Sequence, residues 1–290
     1  MVTPSSSKLI DGSFPAELLL EVIENIPFGD GSDIFTLSRV HPRIADILRS
    51  YEQSLTGSFA RKELRHAAVD FPTKLQGFKW LRTCVKQYDV IDDVMATLVD
   101  DHNVFPVRKH NMALINTGLL LLYHLQSFGP HTAKLTLLKS LPKDPLTTMY
   151  LAVHYATLTA RYHGEGLIHQ RTYGQLMDAN TLSFRSDIEF CFAEASLQLG
   201  PDFVHSTLLA DSSTYYPSER ILLNFYHDHA IHDWVLESDP GGSTGFQPPI
   251  TQGPKKQGAI EEDAAAKDHS LAWLDLEGKE TLMKGGDVVS

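Results

Sequence analysis

The sequence predicts an all-α fold. Apolar residues recur at three- and four-residue spacing along most of the 290 residues, two-residue alternation is scarce, and Pro and Gly fall where helices would start or stop. On this reading the chain holds roughly ten helices.

The elements follow in chain order. Met1–Gly12 is Ser-rich and expected to be disordered. Phe14-Pro15 opens a first helix, with Leu18, Leu19, Val22, Ile23 and Ile26 forming a broad apolar face, and Pro27 and Gly29 end it. Ser32 or Asp33 caps a second, carrying Ile34, Leu37 and Val40. His41-Pro42 breaks it, and Pro42 starts a third with Ile44, Ile47, Leu48 and Tyr51 turned inward. Residues 56–237 then read as one helical domain. Within it Met112–Leu125 is the most hydrophobic stretch, too short to span a bilayer and therefore a buried core helix. Asp144-Pro145 reads as a cap followed by Pro at the first helical position. Ser186 and Glu189 read as a capping box. Gly200-Pro201 ends one helix, and Tyr216-Pro217 opens another that runs to about Glu237. Ser238–Ile260 is crowded with Pro and Gly and reads as a linker. Residues 261–290 read as a disordered tail, too poor in apolar residues for a domain, with room for a short helix around Ala264–Leu276.

Composition excludes several function classes. With 25 Lys and Arg against 36 Asp and Glu, the formal net charge is −11. Such a chain repels nucleic-acid phosphates and anionic headgroups, and no local basic patch offsets this. Neither a nucleic-acid nor a membrane partner is expected. Cys84 and Cys191 are the only cysteines and lie far apart, which argues against a disulfide framework and a Cys-based zinc site. The first dozen residues lack an apolar signal core, so an intracellular protein, cytoplasmic or nuclear, is expected.

Residues 13–55 carry more. Phe14-Pro15-Ala16-Glu17-Leu18-Leu19-Leu20-Glu21-Val22-Ile23, followed by Asp33-Ile34-Phe35-Thr36-Leu37-Ser38-Arg39-Val40, resembles an F-box. That family begins Leu-Pro-x-Glu, continues with an aliphatic helix, and then has an Asp-Leu-x-x-Leu-x-x-Val run. Leu48-Arg49-Ser50-Tyr51-Glu52-Gln53-Ser54 is similar to a stretch in F-box proteins of filamentous fungi. The chain departs at Phe14, where Leu is usual, and at His41-Pro42-Arg43-Ile44, where many members have Cys-Arg-x-Trp.

The resemblance implies a three-helix hook that docks on the adaptor subunit of an SCF-type (cullin–RING) ubiquitin ligase. The rest of the chain would then recruit a protein substrate, with no catalytic residue and no cofactor of its own. By position Phe14, Pro15, Leu18, Leu19, Val22, Ile23, Ile26, Leu37 and Val40 correspond to the adaptor-facing and hook-core residues. Which face outward and which inward the sequence leaves open. The alternative is a helical scaffold with these helices packed into its core.

A third class, a metal enzyme, rests on His229 and His232, three residues apart on one helical stripe near Asp228 and Asp233. The pair lacks the HExxH spacing and a third ligand, so core-edge histidines are the default and no metal is expected. Cys191 lies on an apolar stripe and reads as an inert buried thiol, and no His is spaced to activate Cys84. The carboxylates from Asp89 to Asp101 read as a solvated face.

Overall fold

Proline and glycine place the helix ends. Pro42 and Pro201 each occupy the first turn of a helix, and Pro217 opens another, because a residue without an N–H costs nothing where that N–H has no intrahelical acceptor. The computed structural model describes residues 15–73, 77–163, 168–170, 182–209, 217–237 and 274–288, with backbone alone at 182–186, 217 and 229–237. Among these residues every regular element is helical. The contacts divide the chain into two compact units, Met1–Asp89 and Val90–Ser290.

The first unit holds α1 (Ala16–Glu24), α2 (Ser32–Val40), α3 (Pro42–Ser50), α4 (Glu52–Glu63), α5 (Ala67–Asp70) and the start of α6 (Phe78–Val99). Its core joins Ile23, Phe28, Ile34, Leu48, Leu55, Phe59, Phe78 and Leu81. Phe28 stands at the centre, its ring 5.4 Å from Phe59 and 6.3 Å from Phe78, and its N–H donates to Glu63 Oε1 at 2.8 Å. Gly31 then turns the chain into α2 with φ of 79°, and a Cβ there would lie 2.9 Å from Phe28 Cζ. Left-handed backbone and the aromatic ring together demand glycine. Half of this core comes from beyond residue 54. Residues 13–55, read as a hook segment, thus share their core with α4 and α6, and the contact units divide inside α6.

The second unit holds the rest of α6, a 3₁₀ turn (Lys109–Asn111), α7 (Met112–Ser127), α8 (His131–Ser140), α9 (Lys143–Tyr162), α10 (Leu182–Leu199), α11 (Pro201–Leu208), α12 (Pro217–Glu237) and α13 (Leu276–Met283). The expected apolar core helix is α7, with Leu114, Ile115, Leu119, Leu120 and Leu122 enclosed. It packs along α9, and α10, α11 and α13 close around the pair. No helix of the described residues is long and apolar enough to cross a membrane.

Several details differ from the sequence reading. The described residues hold thirteen α-helices, because short breaks divide runs that the apolar pattern joins. Pro15 is the N-cap of α1, and Gly31 the N-cap of α2. Tyr51 is exposed, as it lies one residue past the end of α3. The helix containing Ser186 begins at Leu182, so the capping pattern lies inside it. Glu189 reaches across instead to Arg161, 3.5 Å away. Burial holds its carboxyl above the usual range, and Arg161 and His154 pull the other way. The helix at Asp144-Pro145 starts at Lys143, because Pro is tolerated throughout a first turn.

Asp144 has another task. Its carboxylate accepts from the Val288 N–H at 2.9 Å, and its own N–H donates to Asp287 Oδ1 at 2.9 Å. This clasp fixes the described end of the chain. Within the tail expected to be disordered, the described residues form a further helix, Leu276–Met283, and Asp275 caps it by accepting from the Gly278 N–H. Leu274, Leu282 and Met283 are buried. Leu282→Ala is expected to destabilise the protein by ~2–5 kcal/mol, as for a fully enclosed leucine. A urea midpoint unchanged by that substitution would show that α13 is not part of the fold. Residues 1–12 and 238–260 and most of the expected tail helix lie outside the described residues.

The loop from Asp100 to Arg108 is held closely. Val107 N–H donates to Leu98 O, Asn103 Nδ2 donates to Thr159 Oγ1 at 2.7 Å, and Val104 N–H donates to His163 Nε2 at 2.8 Å. Asp100 Oδ1 accepts from the His102 N–H and lies 2.9 Å from His102 Nδ1. The hydrogen bond to Asp100 raises the His102 pKa, and bonds from His102 lower that of Asp100. The pair therefore contributes between the two titrations. Its contribution fades as pH rises through the raised imidazole pKa and as pH falls through the depressed carboxyl pKa. Asp100→Asn should lower the His102 midpoint in an NMR titration of the ring protons.

Candidate partner-docking surface

α1 is apolar on two adjoining faces, and the structure separates them. Leu19 and Ile23, four residues apart, are 8% and 4% exposed. Leu18 and Val22, one position earlier on the helix, are 46% and 55% exposed. Ile23 is turned inward by the packing of α1 on α4, where it shares a core with Leu55 and Phe59. The outward pair is left as an apolar stripe bordered by the exposed Glu17 and Glu21.

α2 repeats the division. Ile34 is buried and Leu37 packs against the core, whereas Phe35 and Val40 are exposed. The Arg82 guanidinium lies 5.7 Å from the Phe35 ring centre, which supports the ring from one side. α3 packs beside α2, with Ile47 and Leu48 buried and His41 Nδ1 accepting from the Arg43 N–H. Lys62 Nζ donates to Glu24 O at 2.8 Å and so ties the end of α1 to α4.

The sequence-derived positions thus sort themselves. Leu18, Val22 and Val40 point outward, as does Pro15 at the helix start. Leu19 and Ile23 point inward, and Ile26 and Leu37 are partly buried. Phe14 lies outside the described residues. The pattern missed Phe35, an aromatic outside the apolar spacing of α2, whose place beside Arg82 no local signal encodes.

The other candidates carry less. His229 and His232 lie in the α12 backbone, and their side chains are outside the described residues. Among the described residues no three His, Cys, Asp or Glu side chains are grouped to hold a metal. Cys84 and Cys191 are both buried, and burial pushes each thiol up to about 12. At that value the thiolate is scarce at neutral pH, and neither cysteine is an activated nucleophile. Comparison with protein-family models, curated proteins and solved structures gives no match to the chain.

Proposed function

We propose that the chain is an F-box-like substrate receptor that binds the adaptor of an SCF-type ubiquitin ligase through α1 and α2. The exposed Leu18–Val22 stripe, set beside the buried Leu19–Ile23 pair on one helix, is the observation that supports this reading. A helix with one apolar face committed to its own core and a second left in water is built to meet a groove. Leu18, Val22 and Val40 would be the anchors, with Phe35 beside them. Leu19, Ile23 and Ile34 would hold the anchors in place. The unit from Val90 onward would recruit a protein substrate, and the receptor would act in the cytoplasm or nucleus.

Co-purification of the full chain with the ligase adaptor tests the proposal. A stoichiometric complex is expected. Failure of the folded chain to retain the adaptor would remove the reading. It would favour a helical scaffold, which the burial of Leu19 and the packing of Ile23 with Leu55 and Phe59 also fit.

A further inference from the structure

We propose that the loop from Asp100 to Lys109 is a self-complementary contact through which two copies of this chain associate. The loop ends α6 and leads into the 3₁₀ turn before α7. At its tip Val104 and Phe105 are 57% and 42% exposed, and Met112 is exposed just beyond. The tip is held rigidly. Its backbone is tied to His163, its Asn103 side chain to Thr159, and its base to Leu98. The Phe105 ring rests 5.3 Å from that of Tyr162. A preordered apolar tip loses little entropy on docking.

The flanking charges indicate the occupant. Before the tip stand Asp100 and Asp101, and after it Arg108 and Lys109, all exposed. About a centre between Val104 and Phe105 the signs are antisymmetric: Asp101 mirrors Arg108, and Asp100 mirrors Lys109. A two-fold axis through that centre lays each copy's acidic limb on the other's basic limb and brings the apolar tips together. Within one copy Asp100 is held by His102, and the other three charges are unused. Among the described residues Asp101, Arg108 and Lys109 form no ion pair and no side-chain hydrogen bond, although the Val107–Leu98 bond draws the limbs together. A second copy supplies both signs in register. The surface is small against the ~1,200–2,000 Å² of a stable complex, so the dimer should be weak and reversible.

Sedimentation equilibrium of the full chain over a wide concentration range tests this. The average mass should rise from monomer toward dimer. Asp101→Arg and Arg108→Asp should each weaken the dimer about tenfold, because each change reverses two symmetric contacts. Neither side chain holds the loop, and the helical circular dichroism should stay as in the parent. A one-to-one mixture of the two variants restores both pairs and should regain the parental dimer constant, which a merely damaged loop would not do. A chain that stays monomeric throughout, swaps that leave the association unchanged, or a mixture that fails to recover would each overturn the proposal.

Discussion

Leu18→Asp is expected to abolish adaptor binding and leave the protein folded, whereas Ile23→Asp, five residues on, should unfold the first unit. The two substitutions put the same charge on the same helix. They differ in what the side chain meets. Leu18 lies in the first turn of α1 and is 46% exposed, and an added carboxylate there also suits the positive end of the helix dipole. Its effect on stability should stay within about 0.5 kcal/mol. In a docked complex the same carboxylate would be buried without a partner. Anchor residues of this kind are worth ~2–4 kcal/mol, which corresponds to a loss of affinity of roughly 30- to 1,000-fold. Val22→Asp should behave like Leu18→Asp. Ile23 sits in the core beside Phe28 and Phe59, and an unpaired charge there costs more than a small unit can supply.

The readouts are adaptor retention on an affinity column and far-ultraviolet circular dichroism of the same samples. Leu18→Asp that retains the adaptor at the parental level would sink the docking surface. Ile23→Asp that melts like the parent would sink the assignment of faces. Because the expected outcomes diverge, loss of binding by general unfolding cannot pass for loss of an anchor.

The helices were legible in the sequence where backbone chemistry sets their ends. Pro42, Pro201 and Pro217 begin helices for a local reason, and local reasons survive folding. Where an end depends on a distant group, local reading fails. Asp144 resembles a cap, but its carboxylate accepts from Val288, and no spacing rule connects positions so far apart. Glu189 resembles half of a capping box, and its partner is Arg161 on the neighbouring helix. The two faces of α1 were legible in the same partial way. The resemblance marks nine positions, yet the division of those on α1 depends on where α4 lies against it. Leu18 and Leu19 are chemically identical neighbours, and only the tertiary partner makes one exposed and the other core. The charge antisymmetry around Val104 was fully present in the sequence. It acquired meaning once the loop was seen to be anchored and its tip exposed.

Gly118→Ala and Gly57→Ala should have opposite effects, although both place a methyl group in a helix. In the middle of α4 a Cβ at Gly57 meets nothing within 4 Å. There the substitution should gain the ~0.5–1 kcal/mol by which alanine exceeds glycine in a helix. Gly118 lies where α7 crosses α9. A Cβ at that position falls against the Thr148 carbonyl oxygen and 2.7 Å from the Ala152 Cβ. Thr148, Ala152 and Ala156 make a fully buried stripe of small residues along α9, which is what lets the two helices approach. The obstructing atom is backbone, so no rotamer change relieves it and α9 itself must shift. Overpacking of this sort costs ~1–3 kcal/mol, enough to outweigh the gain in propensity. Gly118→Val adds two further carbons and should cost more. At ~2–4 °C per kcal/mol for a unit of this size, its melting temperature should fall by about 10 °C. Thermal unfolding of the three variants, followed by circular dichroism, separates helix propensity from packing at the crossing. A Gly118→Ala protein that melts above its parent, as Gly57→Ala should, would mean that α7 and α9 are not held at this distance by glycine.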